Sequence, residues 1–119
     1  MNTKERMAMQ PTNEVIAKML KERNKGTEDC VTTSFLARQI GMTPMELNEC
    51  LTDLKILKRN RREKSLKLTQ KHENKGLAKY RSKFSYNCLG QIFEIVYPVW
   101  TRKGVEFLAK QLGTTLLFK

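Results

Sequence analysis

The chain has 119 residues, 39% of them hydrophobic, and a formal net charge of +11. That length and apolar content suit a single modest core, and no apolar run is long enough to span a bilayer. Three widely separated cysteines, Cys30, Cys50 and Cys88, fit neither a disulfide framework nor a zinc site.

Residues 1–11 are expected to be a flexible N-terminus, and residues 12–119 one domain. The first ten residues carry no apolar secretion core, so the expected location is the cytoplasm. A first helix is predicted after Thr12 or Asn13, with Val15, Ile16, Met19 and Leu20 at helical spacing and Gly26 closing it. Thr27 to Val31 is expected to be a loop. A second helix follows over Ser34–Ile40 and a third over Pro44–Lys55. Between them Gly41 can take the positive φ that a tight turn requires. Small Ala37 permits a close helix crossing, and Ile40, Met42, Leu47 and Cys50 fill the angle. Thr43, Pro44 and Glu46 are an N-cap, a first-turn proline and a capping-box partner. Leu47, Cys50, Leu51 and Leu54 make one apolar stripe. Residues 33–55 therefore have the helix-turn-helix pattern, whose second helix commonly enters the DNA major groove.

Ile56 and Leu57 are expected to open a short strand that ends in a turn at Asn60-Arg61-Arg62-Glu63. From Leu66 and Leu68 the pattern alternates, and Thr69–Lys75 is expected to be a short helix. Residues 77–100 are predicted to form a hairpin. Ala78, Tyr80, Ser82, Phe84 and Tyr86 share its apolar face, and Lys79, Arg81, Lys83 and Ser85 the basic one. Asn87-Cys88-Leu89-Gly90 supplies the turn and Gln91–Trp100 the return strand. Thr101 caps a last helix over 102–112 with Val105, Leu108, Ala109 and Leu112 inward, and Gly113 ends it. Thr114–Phe118 is an apolar tail and the candidate surface for pairing with a second copy. The predicted class is α+β: a winged helix-turn-helix in which a three-helix cluster is followed by a β-hairpin wing and a C-terminal helix.

The charge is segregated. Residues 58–83 hold eleven Lys/Arg against two Asp/Glu, whereas residues 1–57 hold eight of each. A concentrated basic block beside a helix-turn-helix points to a polyanion, because each neutralised phosphate releases condensed counterions. Candidate phosphate contacts are Lys58, Arg59, Arg61, Arg62, Lys64 and Lys67, with Arg81 and Lys83 on the hairpin. Arg102 and Lys103 stand in the first turn of the last helix, where cations oppose the helix dipole unless an anion sits there. Candidate base readers are Asn48, Thr52 and Glu49; Glu46, Glu49 and Asp53 also make that helix face acidic, which suits a basic protein partner as well. His72 stands in a polar run without a ligand-spaced neighbour. No nucleophile motif, phosphate loop or carboxylate pair is present, so neither an enzyme nor a metal or other cofactor is expected. RNA binding lacks its usual exposed aromatic platform.

Several motifs together resemble the C-terminal (KilA-C-type) domain of phage antirepressors. They are Thr33–Leu51, Leu54-Lys55-Ile56-Leu57-Lys58-Arg59, Asn74-Lys75-Gly76-Leu77, and Val99-Trp100-Thr101-Arg102-Lys103-Gly104-Val105-Glu106-Phe107-Leu108. The last of these follows the pattern Val-x-Thr-x-Lys-Gly-hydrophobic-x-x-Leu. The resemblance covers about residues 30–112. It implies a winged-helix regulator of phage or mobile-element type that acts on double-stranded DNA or by countering a repressor protein, the alternative role being protein interaction or self-association without DNA reading.

Overall fold

The computed structural model describes residues 12–62 and 65–119. The N-terminal stretch expected to be flexible lies outside them, as do Glu63 and Lys64. The order is α1 (Asn13–Arg23), β1 (Val31–Thr32), α2 (Thr33–Gln39), α3 (Pro44–Asp53), β2 (Leu57–Asn60), β3 (Ser65–Leu68), β4 (Ala78–Tyr86), β5 (Ile92–Trp100) and α4 (Arg102–Leu112). The class is α+β, with four helices and a mixed sheet among the described residues.

Local chemistry sets the helix boundaries. The hydroxyls of Thr12, Thr32, Thr43 and Thr101 each accept a backbone N–H from the first turn they precede. At α3 the capping box is complete: Thr43 N–H donates to Glu46 Oε1 at 2.9 Å and Glu46 N–H to Thr43 Oγ1 at 3.1 Å. Those bonds to Thr43 hold the Glu46 carboxyl below the usual carboxylate range. Gly41 takes φ 69° between α2 and α3, and Met42 N–H returns to Ala37 O at 3.0 Å. A residue with a side chain adopts the same left-handed form after α3: Lys55 has φ 62°, letting Ile56 N–H reach Leu51 O at 2.9 Å. The chain thus reverses at once and sends Leu57 into β2. Leu54 falls outside this reversal and is exposed, so the apolar stripe of α3 ends at Leu51.

β5 is the hub of the sheet. Along one edge it pairs antiparallel with β4, from Ala78↔Trp100 to Tyr86↔Ile92. Its other edge carries β1 (Val31↔Trp100, Thr32↔Val99) and, in parallel, β3 (Ser65↔Val96). β2 and β3 form a first hairpin directly after α3. The core lies between the sheet and α2, α3 and α4. Leu36, Ala37, Leu47, Leu51, Ile56, Leu57, Leu66, Leu68, Trp100, Val105 and Leu108 are buried there.

Three expectations change. The helices make no three-member cluster: α1 buries no residue and sits on β4 instead. The Asn24 side chain satisfies the β4 edge there, donating to Ser82 O at 3.2 Å and accepting from Ser82 N–H at 2.7 Å. Residues 69–75 form turns rather than a helix, with Asn74 at φ 61°. The hairpin that follows the helix pair is β2–β3; the 77–100 hairpin is the body of the sheet, and only its tip stands clear, which leaves Tyr86 exposed although it shares the apolar face. The tail folds back in cis. Gln39 Nε2 donates to Leu117 O at 2.8 Å and Leu117 N–H to Gln39 Oε1 at 2.7 Å, and Leu116 and Phe118 pack against the core.

Gly104 is required by contact rather than by φ. A Cβ there would overlap the Leu77 carbonyl and approach the Trp100 ring to 3.2 Å. Gly104→Ala is therefore expected to cost at least about 2 kcal/mol, lowering Tm by on the order of 10 °C in a thermal melt. His72 packs against Phe107, ring centroids 5.2 Å apart, and its buried Nδ1 has no hydrogen-bond partner among the described residues. Burial, then Lys75 and Lys71, holds its pKa below the ordinary 6.5. Above pH 7 the imidazole is neutral whether folded or unfolded. Below about 6.5 the unfolded chain takes the proton first, so stability falls with pH. Denaturant midpoints should drop between pH 7.5 and 5.5, and His72→Gln should flatten that part of the slope.

Candidate nucleic-acid interface

The basic block divides between two faces of the first hairpin because strand side chains alternate. Arg59 pairs with Leu66 on the face that continues into the core, while Lys58 lies opposite Lys67 on the reverse face. Lys67 lines a separate depression with Glu73 and Tyr80. Arg61 and Arg62 occupy the turn, held by Asn60 Oδ1, which accepts the Arg62 N–H at 3.0 Å. Among the described residues the guanidinium groups of Arg59, Arg61 and Arg62 meet no carboxylate. Lys64 lies outside the described residues.

The face of Arg59 opens on a cleft of about 520 Å³. One wall is α3, which contributes Asn48. The first hairpin contributes Arg59, Asn60 and Arg61 at its tip, with Ser65 and Leu66 behind them. The opposite wall is β4–β5, with Lys83, Ile95, Val96 and Tyr97. The Lys83 ammonium stands over the Tyr97 ring, 5.8 Å from its centroid. Asn48 Oδ1 is buried and has no hydrogen-bond partner among the described residues. Asn48, Arg59, Arg61 and Lys83, named from sequence on three separate segments, thus converge on one site.

The remaining sequence candidates do not join it. Arg81 is two residues from Lys83 on the same strand face but turns to the loop before β1. Its Nε donates to Thr27 Oγ1 at 3.0 Å and its Nη2 to Thr27 O at 2.8 Å. Lys79 does the same one step further on, donating to Gly26 O at 2.8 Å and Asp29 Oδ1 at 3.2 Å, which holds the Asp29 carboxyl below its usual range. Arg102 stacks over Phe118 of the tail, 4.7 Å from the ring centroid. Lys103 lines a different depression, beside Asn74 and Phe107. On α3, Glu49 lies on the exposed outer face, whereas Asn48 and Thr52 share a half-buried flank, and the Thr52 hydroxyl donates to Asn48 O at 2.7 Å. The three base readers therefore do not present one surface.

Sequence reasoning missed Tyr97 and Ile95. The hairpin register held the signal: pairing Tyr86 with Ile92 across the five residues 87–91 puts Ile95 and Tyr97 on the face of Lys83.

Among the described residues no helix is long and apolar enough to cross a membrane, and no group of His, Cys, Asp or Glu is placed to hold a metal ion. A family model described as the phage antirepressor protein KilAC domain matches residues 16–115, from within α1 to the tail. No curated protein and no solved structure matches the chain.

Arg81 and Lys83 should separate stability from binding. Arg81→Gln leaves the Thr27 carbonyl and hydroxyl without their donor, and a loss of about 1–2 kcal/mol is expected in chemical denaturation. Lys83→Gln is expected to stay within about 0.5 kcal/mol of the parent, since it removes only a half-exposed cation–π contact.

Proposed function

The chain belongs to the phage antirepressor KilAC-domain family, a regulatory family, and on that premise we propose that it binds double-stranded DNA as a transcription regulator. In this reading β1, α2, α3 and the β2–β3 hairpin act as a winged helix-turn-helix, with the hairpin at 57–68 as the wing. The Asn48 flank of α3 turns toward the major groove, and Arg59, Arg61 and Arg62 grip phosphates from the hairpin while Lys83 joins them from β4. The observation that carries this is the convergence of Asn48, Arg59, Arg61 and Lys83 on one cleft, where among the described residues no carboxylate pairs with the arginines. A cytoplasmic location follows from the reading.

One observation favours a second role. The outer face of α3 carries Glu49 and Asp53 with Met45, which is 68% exposed. An acidic face with an apolar residue at one end suits a basic protein partner, such as a repressor, and would leave the cationic cleft free.

Duplex retention at several salt concentrations tests the first reading. Four phosphate contacts give a slope of log affinity against log salt of about −3.5, and Arg61→Gln should reduce its magnitude by about 1. Arg59→Glu with Arg61→Glu should abolish retention. A slope near zero, or an unaffected double variant, would leave α3's acidic face as the functional surface. In that case Glu49→Lys with Asp53→Lys should destroy partner binding.

A further inference from the structure

Phosphate contact alone does not account for the cleft. A duplex backbone meets protruding cations on an open surface, whereas here the cations stand beside a recess walled by Ile95, Val96 and Tyr97. Its volume of about 520 Å³ falls within the range of small-molecule sites. Asn48 Oδ1 is a buried acceptor with no donor supplied by the described residues. A ligand that fills this space needs a negative charge for Arg59, Arg61 and Lys83. It also needs a flat apolar face for Tyr97 and Ile95, and an N–H for Asn48.

We propose that this cleft binds a single nucleotide, its phosphate held by Arg59, Arg61 and Lys83 and its base laid against Tyr97 with an N–H donated to Asn48. Bases within a duplex have both faces stacked, so the base is one free of a stack. A free mononucleotide and an unpaired nucleotide within a strand share this chemistry. The assignment of the phosphate rests on the polyanion reading of the same cations; the assignment of the base rests on the recess.

The full chain is titrated by calorimetry with deoxyadenosine monophosphate, inorganic phosphate and deoxyadenosine. The mononucleotide is expected to bind at least about tenfold tighter than either fragment, as it alone reaches both parts of the site. Tyr97→Ala and Asn48→Leu should each weaken it about tenfold while inorganic phosphate binds as before. Tyr97→Phe should restore affinity, and thermal melts of each variant exclude unfolding as the cause. Equal affinity for phosphate and mononucleotide, or indifference to Tyr97→Ala, would overturn the proposal. Two duplexes, one fully paired and one with a single unpaired adenine, identify the source. Preference for the unpaired adenine assigns the site to a strand, and equal retention of the two with saturable mononucleotide binding assigns it to a free effector. Mononucleotide binding without any duplex retention would remove the duplex reading and keep this one; the reverse would do the opposite.

Discussion

The relative placement of every element that builds the cleft depends on the packing around Trp100. Its side chain is fully buried, its indole N–H donates to Thr33 Oγ1 at 3.0 Å, and its backbone pairs with Val31 on one side and Ala78 on the other. Thr33 is the first residue of α2, so that one hydrogen bond fixes the start of the helix pair against the sheet. Gly104 lets α4 close over the same ring, and Thr101 ties the junction to Leu77 through its N–H at 3.1 Å. Three sequence-distant segments meet within one residue's reach. A buried indole N–H left without its acceptor is costly, which makes this arrangement specific as well as tight. The β4–β5 ribbon then continues beyond Trp100 as a stiff extension. Tyr97 stands on it three residues from Trp100 and Lys83 five residues from Ala78, across the cleft from α3.

Electrostatics then acts within geometry already set by packing. α3 carries its acids outward while the cations sit on the hairpin after it, so opposite charges occupy adjacent surfaces of one helix-hairpin unit. The Lys58–Lys67 pair sharpens the point. Like charges directly opposite on neighbouring strands repel, yet both side chains are exposed, where water and salt screen them. Arg59, between Leu57 and the hairpin turn, is exposed as well, but alternation puts it on the strand face that continues into the core. It lines the same cleft as Asn48.

Local chemistry was legible in the sequence, and tertiary assignment much less so. The threonine caps, the capping box at Thr43 and Glu46, the turns at Gly41 and Asn87–Gly90 and the final helix could be read residue by residue because each depends on neighbours within four positions. Which hairpin follows the helix pair could not. A strand at Leu57 and alternation at Leu66 and Leu68 are readable, but β2 and β3 are only four residues each, whereas the longer 77–100 ribbon has the stronger strand signal and reads as the wing. Likewise Val15, Ile16, Met19 and Leu20 repeat at core spacing in α1, yet none is buried. Periodicity records which face of a helix is apolar; it does not say how deeply that face is buried. For the cleft, the cations and Asn48 could be read, while the apolar wall required the register of β5.

Arg81 and Lys83 show why a basic block is not a basic surface. They sit two apart on one strand face with similar reach, and composition treats them alike. Arg81 stands beside the Thr27 loop, whose carbonyl and hydroxyl form a pair of acceptors matched to a guanidinium fork, and it is drawn inward to close that loop. Lys83 finds an aromatic face instead, which attracts an ammonium without engaging its three N–H donors. The difference lies in the acceptors each cation meets rather than in the cations themselves. Lys79, like Arg81, is engaged by the loop, and Lys58 and Lys67 face the other way. The excess charge of residues 58–83 is therefore far larger than the charge facing the cleft. What gives the cleft its character is that the cations reaching it arrive from two different hairpins and meet α3 at Asn48.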